Sequence, residues 1–334
     1  MTNFWTNIKQ PVFALAPMED VTDTVFREIV MRVADPGRLY VLYTEFTNVD
    51  GMNHPVGKLR VGERLIVNDS ELQLLKKQNI KLVAQVWGKD PEIFHKVVKE
   101  ISENERFDGI DVNMGCPVRN VVKNGCCSAL IGTPELAKEI VLATKEATHL
   151  PVSVKTRTGL SKPVTEEWMR HLMETRPAAI ILHGRVQKQM SEGEANWEQI
   201  ALGAKVCKEI DSSVAFLGNG DVMSYSEGLE KVEKYGVDGV MIGRGIFQNP
   251  WFFSSNQRER TPEEKVNLLL QHVRLYHQTW GETKNFNILK RFFKIYTSGF
   301  AGASHLRNEL MQTGSLDDVV AVLESEGFQV SAPN

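Results

Sequence analysis

Residues 107–117 run Phe107-Asp108-Gly109-Ile110-Asp111-Val112-Asn113-Met114-Gly115-Cys116-Pro117, and the expected architecture follows from this segment. Its first six residues form a short apolar run, which predicts a buried strand. Gly115 then lets the backbone approach a ligand closely, and Pro117 ends the strand. We expect Cys116 to be a reactive thiol at the mouth of a barrel. The alternative is a buried structural cysteine, since free cysteines are often packing residues.

Similar apolar, β-branched runs recur along the chain, with segments of helical spacing between them. Eight strands alternating with helices over about 245 residues match a (β/α)8 TIM barrel, which typically has ~250 residues. Most runs lack polar alternation, as is typical of parallel strands buried on both faces. A doubly wound sheet is the alternative, but it needs a GxGxxG turn where residues 16–19 read Ala-Pro-Met-Glu. The predicted strands are Val12–Ala16, Leu39–Thr44, Leu82–Trp87, Gly109–Val112, Val152–Lys155, Ala179–Leu182, Val214–Leu217 and Gly239–Ile242. The predicted helices are Val25–Val33, Pro91–Ile101, Pro134–Ala147, Thr165–Glu174, Trp197–Ile210 and Ser226–Tyr235.

Composition limits the classes of protein that the chain can belong to. Hydrophobic residues make up 42% and charged residues 24% of the 334, as in ordinary globular proteins. No apolar run is long enough for a membrane span and the N-terminus lacks a signal peptide, so we expect a cytoplasmic protein without membrane association. The four cysteines include no CxxC pair, so neither a disulfide framework nor a metal site is expected. With a net charge of −3, a polyanion must be met by a local basic patch.

Polar side chains follow the carboxyl ends of nearly all the predicted strands, where barrel enzymes carry their chemistry. Each of these residues alone has a structural explanation, but the whole set on one rim predicts an active site. The set comprises Pro17 and Met18, Glu45, Gln85, Asn113 and Cys116, Lys155 and Arg157, His183 and Arg185, Asn219-Gly220-Asp221, and Gly243-Arg244.

The last two strand ends predict a phosphate site. Glycines in 218–221 and 243–245 allow backbone N–H groups to face a phosphate, and Arg244 supplies charge. Two tight βα turns are the structural alternative. A phosphate there places the rest of the ligand over the barrel mouth, where Lys155 could stabilise the charge that develops on a reduced flavin. Because no second dinucleotide motif is visible, we expect FMN as the cofactor, not FAD.

A flavin gives Cys116 a role. Reduction of an activated C=C bond needs a hydride at one carbon and a proton at the other. A thiol with its ordinary pKa of about 8.5 is mostly protonated at neutral pH and can supply that proton. No base that would activate a nucleophilic cysteine is identifiable, which disfavours a cysteine hydrolase.

The chain resembles the tRNA-dihydrouridine synthases over most of residues 11–310. The segments that carry the resemblance are Ala14–Asp23, Asn113–Pro117, Val154–Gly159, His183–Arg185, Gly218–Asp221 and Gly243–Gly245. The resemblance implies an FMN barrel followed by a helical RNA-binding domain. It also implies reduction of the uracil C5=C6 bond in tRNA, with NADPH reducing the flavin again.

The resemblance also implies roles for individual residues. Cys116 would protonate C5 while hydride goes to C6, and Asn113 and Arg157 would lie near the flavin and the target base. Arg185, on the same rim, joins these two in the predicted substrate-binding set. The implied flavin contacts are Pro17, Met18, Gln85, Lys155, His183, Asn219, Asp221, Gly243 and Arg244, to which the phosphate turn adds Gly220.

One loop departs from the family pattern. Residues 123–130 carry Cys126 and Cys127, where the family has small residues. The two thiols are expected to act as small packing residues, and a redox-sensitive loop is the alternative.

After residue 252 the strand pattern stops, so we expect a catalytic domain over 1–253 and a helical tRNA-binding domain over 254–334. Glu263–Thr279, Ile288–Tyr296 and Asp317–Glu324 have helical spacing, with a break at 301–303. Between 284 and 308 the chain has basic residues and no acidic ones. Four of them are predicted to contact RNA phosphates, whereas the interleaved aromatics are expected to face the core. The four are Lys290, Arg291, Lys294 and Arg307.

Three functions are therefore compared. The first is a flavin-dependent tRNA uridine reductase, for which a monomer suffices. The second is a small-molecule flavin oxidoreductase of the dihydroorotate dehydrogenase or enoate reductase type, which has no use for a basic helical tail. The third is an RNA-binding protein without catalysis, which the presence of both Cys116 and Lys155 disfavours.

Overall fold

The computed structural model describes residues 3–330 and shows, within that range, a closed barrel of eight parallel strands. Val12 pairs with Gly239, and Val41 pairs with Lys81, so the first and last barrel strands meet and the sheet closes. The short strand β3 pairs with residues 86–87 of β4, beyond the residues of β4 that pair with β2. The strands are β1 (Val12–Leu15), β2 (Val41–Tyr43), β3 (Thr47–Asn48), β4 (Lys81–Trp87), β5 (Gly109–Met114), β6 (Val152–Arg157), β7 (Ala179–His183), β8 (Ala215–Asn219) and β9 (Gly239–Ile242). The predicted (β/α)8 fold is confirmed.

Amphipathic helices surround the barrel. Helix α5 is representative: Asp90 caps its first N–H groups, Pro91 occupies its first turn, and Phe94 and Val98 are on its buried face. The helices up to the last strand are α1 (Thr24–Val33), α2 (Val49–Asn53), α3 (Pro55–Val61), α4 (Asp69–Gln78), α5 (Pro91–Ser102), α6 (Arg119–Lys123), α7 (Pro134–Ala147), α8 (Thr165–Met173), α9 (Trp197–Ile210) and α10 (Tyr225–Tyr235). Short 3-10 helices lie at Phe4–Thr6, Gly62–Leu65, Cys127–Gly132, Gln187–Gln189 and Arg244–Phe247.

The part of the chain after β9 is helical, as predicted. It contains α11 (Pro262–Trp280), a 3-10 helix (Phe286–Phe292), α12 (Phe293–Tyr296), α13 (Ala303–Leu310) and α14 (Leu316–Ser325). The break expected at 301–303 is present, since Gly302 precedes α13 with φ of +83°. One apolar core runs from the barrel helices into these helices. The division into domains at residue 253 stays a prediction.

The structure adds helices that were not predicted, among them α6 and α13, and corrects one that was. Residues 49–78 form α2, α3 and α4, which the sequence analysis did not assign. The segment predicted as one helix over 288–296 is mainly 3-10 in its first part. The reason is the spacing of its apolar residues, because Phe286, Leu289 and Phe292 recur every three residues, which is the 3-10 period.

The interior of the barrel is filled by an apolar cluster of its own, which extends up to Ala16 and Met241 at the cavity. Val12, Tyr43 and Ile181 belong to it, and Trp5 packs against them. Because the lower barrel is filled with side chains, a ligand can enter only at the carboxyl ends of the strands. Among residues 3–330, none of the helices is long and apolar enough to cross a bilayer.

Candidate active site

A cavity of about 280 Å³ lies at the carboxyl ends of the barrel strands. Its wall contains Cys116 and all the predicted cofactor and substrate residues of the barrel except Gln85. These are Pro17, Met18, Asn113, Lys155, Arg157, His183, Arg185, Asn219, Gly220, Asp221, Gly243 and Arg244. Within the described range 3–330, the side chains contain no group of three or more His, Cys, Asp or Glu that could hold a metal ion.

Asn113 holds the turn that carries the thiol. Its Oδ1 accepts hydrogen bonds from the backbone N–H of Gly115 at 3.0 Å and of Cys116 at 2.6 Å. Its Nδ2 donates to Oε1 of Gln85 at 2.9 Å. Asn113 is therefore a positioning residue for Cys116 as well as part of the cavity wall.

Gln85 lies outside the cavity lining and is fully buried. Its Nε2 donates to Oδ2 of Asp111 at 2.7 Å, and Ser153 Oγ donates to the other oxygen of that carboxylate at 2.5 Å. Burial raises the pKa of Asp111 to about 6, against the effect of these two hydrogen bonds. Asp111, Gln85 and Asn113 thus form a hydrogen-bonded chain that ends at the thiol turn, and a flavin contact by Gln85 stays a prediction.

Cys116 is 9% exposed and packs against Cys126 and Cys127. A hydrogen bond from the Cys127 thiol is the main cause that lowers the pKa of Cys116 to about 7, and burial opposes it. The backbone N–H of Val118 and the charge of Arg157 act in the same direction as Cys127. The assumption of an ordinary thiol pKa is therefore wrong, because near neutral pH the sulfur is divided between thiol and thiolate.

Lys155 and Arg157 bring positive charge next to the thiol. Burial lowers the pKa of Lys155 to about 8 and that of Arg157 to about 10. Arg157 Nε donates to the carbonyl of Gly115 at 2.5 Å, and Nη1 donates to the carbonyl of Met190 at 2.8 Å. Arg157 therefore joins the thiol turn to the loop after β7.

His183 is a titratable group of the wall that stays neutral. Burial lowers its pKa well below the ordinary value, and the nearby cations Arg157 and Lys155 lower it further. At physiological pH the imidazole is uncharged, so it can take part in hydrogen bonds without adding to the positive charge of the cavity.

Asp221 joins two arginines at the predicted phosphate end. Arg185 Nη2 lies 2.6 Å from Oδ2 of Asp221, and Arg244 Nη2 lies 2.7 Å from Oδ1. Burial alone would raise the pKa of Asp221, but the hydrogen bonds from Arg185 and from the N–H of Ala195 bring it below the ordinary value. This aspartate therefore stays ionised and holds both guanidinium groups at the cavity wall.

The same end contains free backbone donors. Within residues 3–330, no acceptor is hydrogen-bonded to the backbone N–H of Asp221, Arg244 or Gly245, three residues of the cavity wall. Gly220 has φ of +125° and Asp221 has φ of +50°, which fixes the sharp turn after β8. Unpaired N–H groups beside two arginines suit an anion.

The four predicted RNA contacts lie outside the cavity, in the C-terminal helices. Lys290 donates to the carbonyl of Met311 and Arg307 to that of Thr297. Arg291 donates to the carbonyl of Asp20 at 3.0 Å and so contacts the loop after β1, which also supplies Met18 to the cavity. Lys294 is exposed, and its ammonium makes no ion pair or hydrogen bond with the described residues.

The interleaved aromatics face the core, as predicted. Phe293 and Tyr296 are completely buried and Phe292 is 3% exposed. Phe292 stacks on Phe26 of α1 with ring centroids 4.9 Å apart, so it joins the C-terminal helices to the barrel.

Comparison with known proteins gives the family. The model of the family described as "Dihydrouridine synthase (Dus)" matches residues 14–332. The chain belongs to this family. It is therefore an enzyme of the oxidoreductase class, which confirms both the predicted resemblance and the predicted enzymatic nature.

Individual relatives agree over nearly their whole lengths. A "Probable tRNA-dihydrouridine synthase" of Staphylococcus aureus (strain COL) is 44% identical over 324 residues, which are 96% of this chain and 95% of the relative. "Probable tRNA-dihydrouridine synthase 2" of Bacillus subtilis (strain 168) is 43% identical over 325 residues, 96% of each chain. Among solved structures, morphinone reductase in complex with tetrahydroNAD matches with a TM-score of 0.48 and 11% identity over 74% of this chain and 87% of that one.

Several residues of the cavity wall in this Dus family member were not found from the sequence. Phe46 follows β2 by only three residues and could have been found, since it too lies at a strand end. Met190 and Ser191 come from the loop after β7, and Met223 from the loop after β8. They stand several residues beyond their strands, so strand ends alone gave no signal for them.

Proposed function

We propose that this protein reduces the C5=C6 bond of specific uridines in tRNA to dihydrouridine, using FMN that is reduced by NADPH. One observation carries the proposal: the Cys116 thiol, with a pKa near neutrality, lines the same cavity as Lys155 and a cationic anion-binding end. A proton donor and a basic cleft for a flavin that supplies hydride are the two requirements for reducing an activated double bond in this way.

The residues of the cavity fit FMN. Among the described residues of the wall, Lys155, Arg157, Arg185 and Arg244 carry positive charge against the single carboxylate of Asp221. The net positive charge suits a dianionic phosphate, for which the free N–H groups of Arg244 and Gly245 supply hydrogen-bond donors. Lys155 would lie beside the part of the isoalloxazine ring that becomes negative on reduction. When bound, the flavin would supply hydride to C6 of the uracil.

The chain's own residues would supply the proton and its position. Cys116 in its thiol form would deliver a proton to C5. Asn113 would hold the thiol turn through the N–H groups of residues 115 and 116. Because only the protonated form acts, the rate of proton delivery should fall as the pH rises above about 7.

The tRNA part of the proposal rests on the family and on the C-terminal helices. Lys294 offers an exposed ammonium, and Arg291 connects these helices to the loop at the cavity rim. A surface that holds the RNA backbone would offset the few kcal/mol needed to flip a base out of its stack. A tRNA-modifying enzyme of this kind would work in the cytoplasm, and a monomer suffices for the mechanism.

Replacement of Cys116 by alanine tests the mechanism. The purified variant should be yellow and its flavin should be reduced by NADPH. Reoxidation of the reduced flavin by unmodified tRNA should be slower by about 10²–10⁴-fold, the usual contribution of a general acid. The measurement is anaerobic stopped-flow absorbance, with dihydrouridine quantified by mass spectrometry of the tRNA.

The matched control is Cys207→Ala, which removes a buried thiol of α9 outside the cavity. This variant should reoxidise with tRNA as the wild type does. A colourless wild-type protein that takes up no FMN would refute the cofactor, and full-rate reduction of tRNA by Cys116→Ala would refute the acid. Faster reoxidation by orotate or an α,β-unsaturated ketone than by tRNA would favour the small-molecule reductase.

A further inference from the structure

The loop that departs from the family pattern places a second thiol against the one in the cavity. Cys127 is completely buried and packs with Cys116 in one cluster, and hydrogen bonding by Cys127 is the main cause that lowers the pKa of the Cys116 thiol. We propose that Cys116 and Cys127 form a reversible disulfide under peroxide, and that this bond switches the active site off.

The backbone holds the two cysteines together. Ser128, the residue after Cys127, donates to the carbonyl of Cys116 through its N–H at 3.3 Å and through its hydroxyl at 2.9 Å. A disulfide needs Cα atoms roughly 4.4–6.8 Å apart. These two hydrogen bonds and the packing of Cys116 against Cys127 bring the two chain segments close together. The bond would therefore join two loop segments that are already hydrogen-bonded to each other.

Cys127 also has an unusual backbone conformation. Its φ is +54°, in the left-handed region where non-glycine residues are uncommon and cost about 1 kcal/mol or more. A glycine would occupy this position without strain. The chain instead has a cysteine at this strained position, and that cysteine packs against Cys116. We therefore connect the strained backbone of Cys127 with the proposed disulfide.

The reaction balances with hydrogen peroxide as the oxidant. The Cys116 thiolate attacks one peroxide oxygen, the O–O bond breaks, and Cys116 becomes a sulfenic acid with release of hydroxide. The Cys127 sulfur then attacks the Cys116 sulfur, an S–S bond forms, and the S–OH bond breaks to release water. Two thiols are oxidised, one peroxide is reduced, and two waters form in total. Peroxide can reach Cys116 through the cavity, because Cys116 lines the cavity wall.

Cys126 is less suited as the partner. Its sulfur is directed to the carbonyl of Asn124 at 3.8 Å. A bond between Cys126 and Cys127 would have to join Cα atoms about 3.8 Å apart across a trans peptide, which is below the usual range for disulfides.

The test is a mass measurement on the full chain as purified. The protein is reduced, desalted, exposed to about one equivalent of hydrogen peroxide, blocked with iodoacetamide and digested with trypsin without reductant. Cleavage after Arg119 and Lys123 puts Cys116 in peptide 107–119 and Cys127 in peptide 124–138. The expected product is the linked pair of these peptides with Cys126 carbamidomethylated, two hydrogen atoms lighter than the sum of peptide 107–119 and the singly carbamidomethylated peptide 124–138, and dithiothreitol should separate them again.

Two serine variants locate the bond. Cys126→Ser should still give the linked pair. Cys127→Ser should give none, and Cys116 should then accumulate as a sulfenic acid that dimedone traps. The proposal is overturned if the wild type oxidises at Cys116 without a cross-link, or if the cross-link survives in Cys127→Ser. The loss of uridine reduction rests on the proposed function, whereas the cross-link is detected by mass even if that function is wrong.

Discussion

The hydrogen bond from Cys127 to Cys116 makes a quantitative prediction about acidity. It is the largest cause that brings the pKa of Cys116 from 9.0 to about 7, a difference of about 3 kcal/mol between the two protonation states. Cys127→Ala removes the donor and should return the pKa of Cys116 towards 9. Cys127→Ser keeps an O–H donor at the same place, so the pKa of Cys116 should stay near 7.

The rate of alkylation by iodoacetamide measures this pKa directly, because only the thiolate reacts. Tryptic peptide 107–119 contains Cys116 and no other cysteine, so its modified fraction reports that thiol alone. At pH 7 about half of the wild-type sulfur is thiolate, compared with about 1% when the pKa is 9, so alkylation in Cys127→Ala should be roughly 50-fold slower.

Catalysis should respond in the opposite direction. At pH 8 a general acid of pKa 7 is about 10% protonated and one of pKa 9 about 90%. The value of kcat/KM for tRNA in Cys127→Ala should therefore rise about ninefold relative to wild type at pH 8, and Cys126→Ala should show no such rise. If alkylation has the same pH midpoint in Cys127→Ala, Cys127→Ser and wild type, the hydrogen bond does not control the acidity.

Three other substitutions probe the remaining parts of the site. Asn113→Ala leaves two N–H groups of the thiol turn without an acceptor. Urea unfolding should therefore show a loss of about 2–4 kcal/mol in the free energy of unfolding, and uridine reduction should fall. The control is Asn120→Ala at an exposed position, which should change the free energy of unfolding by less than about 0.5 kcal/mol. Asp221→Asn should lower the free energy of unfolding by about 2 kcal/mol at pH 7. Because the pKa of this aspartate is lowered in the folded protein, the difference from wild type should shrink as the pH falls below about 4. Equal urea midpoints for variant and wild type at pH 7 would contradict this. Lys294→Ala should reduce the slope of log K for tRNA against log salt by about 1 in filter binding, and Lys76→Ala on α4 should leave it unchanged.

The sequence was sufficient for the parts of the site that follow strand ends directly. Parallel strands bring their carboxyl ends to one rim, so Lys155, His183 and Asp221 could be placed together without coordinates. The hydrogen bond of Cys127 to Cys116 could not be foreseen, because it depends on a left-handed residue in a loop eleven positions further along the chain. Position at a strand end also gave one residue that is not in the cavity wall. Gln85 stands at such an end, yet its amide is hydrogen-bonded to Asp111 and Asn113 and does not line the cavity.

The basic residues of the C-terminal helices could be predicted only in part. Charge spacing located Lys290 and Arg307 on the surface, but both are hydrogen-bonded to carbonyls within the C-terminal helices. A count of basic residues cannot distinguish a side chain that is hydrogen-bonded within the protein from one that is free, because the two look the same in the sequence. Only the coordinates separate Lys294 from the others.

The chain of hydrogen bonds from Asp111 through Gln85 to Asn113 has a direction. While it is ionised, the Asp111 carboxylate can only accept hydrogen bonds, so Gln85 must direct its NH2 group to Asp111 and its oxygen to Asn113. Asn113 then donates through its NH2 group to Gln85 and presents its oxygen to the thiol turn. A substitution at any one of the three positions leaves its neighbour without a hydrogen-bond partner. Homologues should therefore exchange these residues as a linked set, so that a substitution of the buried acid is accompanied by a compensating one at Gln85 or Asn113.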